Sequence, residues 1–189
     1  MKQYNAACLD IGYVPVASQL TFTTAHTSVR LLTGKDQTLY LQLYTDANSM
    51  RYIGRSLTEG EAVASFFKAL KLNVALQWRR LFFVIESKSS RRSLGLMGLT
   101  DTGDAGIEFG IILSQQAQGK GVATEVLQQC IARLFALGVS KVWLQLHPDN
   151  AAAIAMAQTA AMTKGTRVTA NNQQTWFIEQ HYNKNCRGH

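Results

Sequence analysis

The spacing of apolar residues changes several times along the chain, and each change marks an element. Residues 20–32 read as a first strand or a bent pair of strands. Thr33-Gly34-Lys35-Asp36 has the composition of a helix start, and Leu39, Tyr40, Leu43 and Tyr44 follow at helical spacing. Thr58-Glu59-Gly60-Glu61 fits a capping box, in which hydroxyl and carboxylate each satisfy the other residue's backbone N–H. The helix it opens would bury Ala62, Val63, Phe66, Leu70 and Val74. Residues 81–86, 94–100 and 105–113 then read as successive strands. Asp101-Thr102-Gly103-Asp104 carries the residues tight turns prefer, so the run is an antiparallel meander.

From Val122 the period lengthens. Val126, Leu127, Cys130, Ile131, Leu134 and Phe135 share one face of a helix, and Gly138 stands where a C-terminal cap glycine would. Residues 141–146 alternate as a strand, and the Ala-rich stretch 151–162 has high helix propensity. Residues 168–169 and 175–179 form a closing hairpin around Asn171-Asn172. Meander, helix, strand, helix and hairpin together predict a mixed α/β (α+β) domain. Residues 1–19 have weak pattern and read as a loosely attached arm, with the domain over 20–189.

Composition narrows the function classes. A chain of 189 residues, 47% hydrophobic and 16% charged, suits one globular domain with its own core. No apolar run approaches the roughly 20 residues of a membrane helix. The first 20 residues lack the basic-then-apolar layout of a signal peptide. Cys8, Cys130 and Cys186 are far apart and form no CxxC pair, which argues against a disulfide framework and against a metal site. The expected setting is reducing and cytoplasmic. A net charge of +7 admits a polyanionic partner, but the cations are spread along the chain. The densest group, Arg79, Arg80, Lys88, Arg91 and Arg92, is too thin for a nucleic-acid footprint.

The candidate chemistry sits where the third meander strand meets the next helix. There Glu108-Phe109-Gly110-Ile111-Ile112-Leu113 leads to Gln118-Gly119-Lys120-Gly121-Val122-Ala123-Thr124. A helix N-terminus offers unpaired N–H groups and partial positive charge, which suit a phosphate. Small residues at 119, 121 and 123 let a phosphate approach the backbone, and Lys120 adds a cation at the rim. The GxxxxGK[ST] spacing of a P-loop is absent. A dinucleotide fingerprint would need a third glycine and an acidic residue about 20 positions on.

On these residues the chain resembles the GNAT superfamily of N-acetyltransferases, whose signature is Q/R-x-x-G-x-G/A between a strand and a helix. Gln118, Gly121 and Ala123 fill its three defined positions. Val29-Arg30-Leu31-Leu32-Thr33 and Glu108-Phe109-Gly110 resemble the branch that acetylates alanine and serine N-termini of ribosomal proteins. The likeness runs over residues 20–180. It implies a single domain with a central, mostly antiparallel mixed sheet of about six to seven strands. That sheet would be splayed at the cofactor site and flanked by about four helices. It also implies acetyl-CoA as co-substrate and no metal. The backbone of Ile111, Ile112 and Leu113 would hold the pantetheine arm. Residues 118–124 would hold the pyrophosphate, and Asn150 would face the arm. The partners implied are an acyl-CoA and an amine acceptor, a protein N-terminus among them. Either a monomer or a homodimer is compatible with the family.

Acylating an amine requires a base, a polarised carbonyl and a proton for the departing thiolate. Glu108 is the candidate base; the alternative is a strand-end Glu that faces solvent or pairs with an Arg. Many relatives carry a Tyr seven residues after the Asn to protonate the thiolate, and others a Ser three residues after it, where this chain has Ala157 and Ala153. A further base position of the family is Gln145, and the helix ends Thr159-Ala160-Ala161-Met162 instead of K-x-G-F. His147, Tyr52 and Tyr182 are the remaining protic candidates; the alternatives are an ordinary loop histidine before Pro148 and packing aromatics. By analogy Tyr44, Asp46, Asn48, Arg51 and Tyr52 would border the acceptor. A non-catalytic acyl-CoA-binding domain is the alternative function.

Overall fold

The computed structural model describes residues 15–75, 77–103, 106–169 and 172–180. Tyr182, Cys8, Cys186, Asp104 and Asn171 lie outside the described residues. Strands β1 (Phe22–Thr23) and β2 (Thr27–Leu31) come first, followed by helices α1 (Gln37–Thr45), α2 (Ala47–Met50) and α3 (Glu59–Asn73). The meander is β3 (Arg80–Ser87), β4 (Ser93–Asp101) and β5 (Ile107–Leu113). Helix α4 (Val122–Ala136), strand β6 (Lys141–Leu146), helix α5 (Ala151–Thr159) and the hairpin β7 (Thr163–Val168) and β8 (Gln174–Glu179) complete the chain.

All eight strands form one sheet in the order β1-β2-β3-β4-β5-β6-β8-β7. Every pairing is antiparallel except β5 with β6. The α+β class is as expected, with one strand and one helix more than the counts above. Residues 20–32 fold as two short strands. The extra helix is α2, which forms because the Asp46 carboxylate accepts from the N–H of Asn48 and of Ser49. The last hairpin starts at Thr163 and not at 168, because α5 stops early. Ala161 turns the chain at φ 57°, a left-handed conformation that costs an L-residue about 1 kcal/mol or more.

The sheet is covered on both faces. Odd residues of β3 and β5, among them Leu81, Phe83, Ile107 and Phe109, pack with α4 and α5. Even residues, among them Phe82, Val84 and Ile112, pack with Tyr40, Leu43 and Phe66 from α1 and α3. Helix α3 begins with the expected box: Thr58 N–H donates to Glu61 at 2.9 Å, and Glu61 N–H donates to the Thr58 hydroxyl at 3.4 Å. It buries Ala62, Phe66 and Ala69. Val74 is not part of that face: it follows the last turn and is 82% exposed. Asn73, the last residue of α3, clamps β3 with its amide, accepting from Phe82 N–H and donating to Phe82 C=O, both at 2.8 Å. In Arg30-Leu31-Leu32-Thr33, Arg30 forks onto buried Asp36 at 2.7 and 2.8 Å and onto Glu86 at 2.7 and 3.0 Å. Residues 15–20 lie on the domain, with Leu20 buried and Trp78 donating to the Pro15 carbonyl at 2.6 Å.

Candidate active site

The parallel pair β5–β6 holds together only at its start, where Ile107 faces Val142 and Glu108 faces Trp143. Beyond Glu108 the two strands part, while β5 stays paired to β4 all the way to Leu113. Gly106, at φ 90°, lies so close to Lys141 that a Cβ there would strike the Lys141 carbonyl oxygen. The slot between the strands therefore opens from a pinched end.

The edge of β5 along this slot carries backbone polar groups. Ser114 N–H bonds to the Leu94 carbonyl on the β4 side at 2.9 Å. A trans peptide sends the Leu113 carbonyl the opposite way, into the slot. There the Gln118 side chain donates to it at 3.0 Å. Strand alternation gives Ile111 the same direction as Leu113, so its backbone groups also face the slot, while Ile112 turns its backbone to β4.

The slot leads to the start of α4. Gly119 and Gly121 have φ of 70° and 76°, so this turn requires glycine at both positions, and Gly121 is the N-cap residue. No side chain caps the helix, and the first helical bond runs from Glu125 N–H to Gly121 C=O at 3.0 Å. The N–H groups of Val122, Ala123 and Thr124 thus point out of the first turn. Gln118, Gly119, Lys120 and Gly121 are exposed. Glu125, an anion in the first turn, is drawn sideways by His26, whose backbone N–H donates to it at 3.1 Å. The sequence therefore places outward-facing N–H groups and a glycine turn together at the start of α4.

On the α1/α3 face a cleft of about 280 Å³ spans the slot. Its floor follows from register: Phe82 faces Gly98, and Gly98 faces Gly110, which leaves two neighbouring positions without side chains. One row away Arg80 faces Thr100, and Thr100 faces Glu108. Glu108 is half-buried in this cleft; burial pushes its carboxyl above the usual range, and Arg80 opposes that shift. Arg80 lies over the Phe82 ring at 5.0 Å. Tyr44, Tyr52, Gln145, His147, Asn150 and Ala153 also line the cleft. The Tyr52 and His147 rings are 5.5 Å apart. Asp149 N–H donates to His147 Nδ1 at 3.3 Å, which favours the tautomer with its proton on Nε2.

The chain matches the model of the acetyltransferase (GNAT) domain over residues 27–163. It belongs to the GNAT acetyltransferase family. Known GNAT structures share its fold. An acetyltransferase from Agrobacterium tumefaciens has a TM-score of 0.71 at 16% identity, covering 95% of this chain and 100% of that one. Spermidine N-acetyltransferase from Vibrio cholerae, in complex with CoA and spermine, has a TM-score of 0.67 at 20% identity, covering 82% and 95%. The ribosomal L7/L12 alpha-N-protein acetyltransferase RimL, in complex with CoA, has a TM-score of 0.69 at 12% identity, covering 82% and 95%. No curated protein sequence matches the chain.

Within this GNAT domain Asn150 is first of all a helix cap, its Oδ1 accepting from Ala153 N–H at 3.1 Å. A ligand contact would use the Nδ2 end. Ala157 is fully buried against the α4 side of the sheet, so the position where relatives keep a Tyr is a core position here. Asp46 and Asn48 belong to the α2 cap and do not line the cleft, while Arg51 sits over the Tyr52 ring at 5.1 Å. Arg80, Gly98 and Gly110 were not among the sequence candidates. Their signal is present only once the register aligns them. No group of three or more His, Cys, Asp or Glu among the described residues could hold a metal ion. No helix among them is long and apolar enough to cross a membrane.

Proposed function

We propose that this chain transfers the acetyl group of acetyl-CoA to a primary amine by direct attack on the thioester. One observation carries the reading: a single slot, opened where β5 and β6 part, runs from the uncapped start of α4 to the half-buried Glu108. The N–H groups at 119–124 and Gln118 hold the pyrophosphate, with Lys120 at the rim. The slot-facing backbone of Ile111 and Leu113, beside Ile112, pairs with the amides of the pantetheine arm as a neighbouring strand would. Asn150 offers its Nδ2 to the same arm. Acetyl-CoA supplies the activated acyl group.

Glu108 accepts the proton of the attacking amine, directly or through one water. A carboxyl whose pKa is raised by burial is a stronger base than a solvated one, though only while it remains ionised. Arg80 favours the ionised form. Tyr44 lines the cleft too, but burial raises its pKa, which leaves Tyr52 and His147 as the protic side chains for the departing thiolate.

The test is CoA release from acetyl-CoA in the presence of a panel of amines and N-terminal peptides, with calorimetric titration of CoA alongside. Release that depends on both an acceptor and Glu108 supports the reading. CoA binding without turnover on any acceptor would leave a binding domain instead, the alternative favoured by the buried Ala157. Failure to bind CoA would remove both.

A further inference from the structure

The acceptor cleft holds a cation that forms no ion pair among the described residues. Among the described residues its lining holds one carboxylate, Glu108, and the Arg80 guanidinium. Arg51 adds a second cation at the edge, through its contact with Tyr52. Arg80 is within ion-pair distance of no carboxylate among the described residues. It is held by the Phe82 ring, at the β3 side of the two-glycine floor. Phe82 is itself fixed through the Asn73 amide, so the guanidinium rests on a braced platform. Glu108 stands on β5 in the row beside that floor, with Thr100 between it and Arg80, two strand spacings or about 10 Å away in backbone terms. The Arg80 side chain leans along β3 over Phe82, which brings its guanidinium level with the glycine row.

We infer that the acceptor is a primary amine carrying a carboxylate a few bonds from its nitrogen, with the amine at Glu108, the carboxylate on Arg80 and the connecting atoms beside Thr100, over the neighbouring row of Gly98 and Gly110. This rests on the acetyltransferase reading above and specifies its substrate class. The charge balance decides against a polyamine. Once one nitrogen of a polyamine has lost its proton, the remaining ammonium groups need anions. The described lining provides none beyond the base, and Arg80 repels them. A carboxylate-bearing amine instead receives from Arg80 a planar pair of donors that matches its two oxygens. The side-chain-free floor at Gly98 and Gly110 leaves room for the atoms between. A free amino acid and an acidic peptide N-terminus share this chemistry.

The experiment compares kcat/KM, read as CoA release, for matched acceptors. They are a neutral alkylamine, γ-aminobutyrate, glutamate, spermidine, and tripeptide amides beginning with Glu, Ala or Lys. The carboxylate-bearing acceptors should exceed their neutral counterparts by about tenfold or more, the worth of one charge-assisted hydrogen bond. Spermidine and the Lys peptide should fall below the neutral ones. The small acids and the Glu peptide tell a free amino acid from an N-terminus. In Arg80→Gln the acidic-to-neutral ratio should drop towards one, mainly through KM, and Arg80→Lys should restore part of it. The ratio is the readout because Arg80 also acts on Glu108, an effect shared by every acceptor. Thermal melts confirm that each variant is folded. A preference for spermidine or the Lys peptide, or an acidic preference unchanged in Arg80→Gln, would overturn the inference and leave the acetyltransferase reading standing. No CoA release with any acceptor would remove both.

Discussion

The Gln118 side chain donates to the Leu113 carbonyl at 3.0 Å, tying the glycine turn to the end of β5. This one bond couples the start of α4, the proposed seat of the pyrophosphate, to the strand edge that faces the slot. Gln118→Ala should weaken CoA binding about 3- to 10-fold by isothermal calorimetry, the usual range for one neutral hydrogen bond. Gln118→Glu should do worse, since a carboxylate has no donor for the carbonyl and meets the phosphates as a like charge.

Glu108→Gln should lower kcat by about 10²- to 10⁴-fold while CoA binding is kept. In the unaltered protein kcat/KM should fall as acid protonates Glu108, and that fall should come at higher pH than for an ordinary Glu, because burial raises its pKa. The stability sign is the reverse. A carboxyl whose pKa is raised on folding stabilises the fold when protonated, and the benefit is lost as pH rises through the folded value. At pH 7 the Gln variant should therefore melt no lower than the parent. A Gln variant of full activity, or an acid limb no higher than that of a solvated Glu, would remove Glu108 as the base.

Gly121 separates backbone strain from charge. Its φ of 76° penalises any side chain, whereas the space around it is open. Gly121→Ala should cost about 1 kcal/mol in denaturant melts. Gly121→Asp bears the same strain and adds an anion beside the N–H cradle, so its CoA affinity should be lower than that of the Ala variant by about tenfold or more. Equal affinities would mean that the turn does not hold the phosphates.

Ala161, at φ 57°, occupies a conformation that suits glycine. Ala161→Gly should stabilise the domain by about 1 kcal/mol, read as a rise in Tm of about 2–4 °C. A fall in Tm would show that the Ala161 methyl contributes more by packing than its backbone strain costs.

Asp36 is buried under the Arg30 fork. Burial raises its pKa, but the hydrogen bonds from Arg30 and Thr33 outweigh this and hold the carboxyl below its usual value. That stabilisation is present above the unfolded pKa of about 4 and is lost as pH falls through the folded one. Asp36→Asn should cost about 2 kcal/mol at pH 7, and the difference should shrink in acid melts. An acid-independent difference would mean that the ion pair is not its source.

The elements were legible in the sequence wherever one local rule decided them. The Thr58–Glu61 box, the 3.6-residue stripe of α4 and the glycine after it fold as their spacing predicts. The glycine turn before α4 was legible too, because both glycines answer a backbone requirement set within a few residues. Features that depend on distant residues were not. Ala161 carries no propensity for the turn it makes, so α5 reads longer and β7 shorter than they are. The Gly98–Gly110 floor and the row Arg80–Thr100–Glu108 exist only through the register of three strands, and strand pairing is not written in any single window. Arg80 reads on the chain as one more surface cation.

Gly106 lies against Lys141 where β5 and β6 still touch, and the strands fan outward from there. That contact acts as the rivet of a pair of dividers. The width at the open end is fixed by how closely the arms meet at the closed one. A methyl group at position 106 would act as a spacer under the rivet and change the gauge of the whole slot, several residues from any atom a ligand would touch.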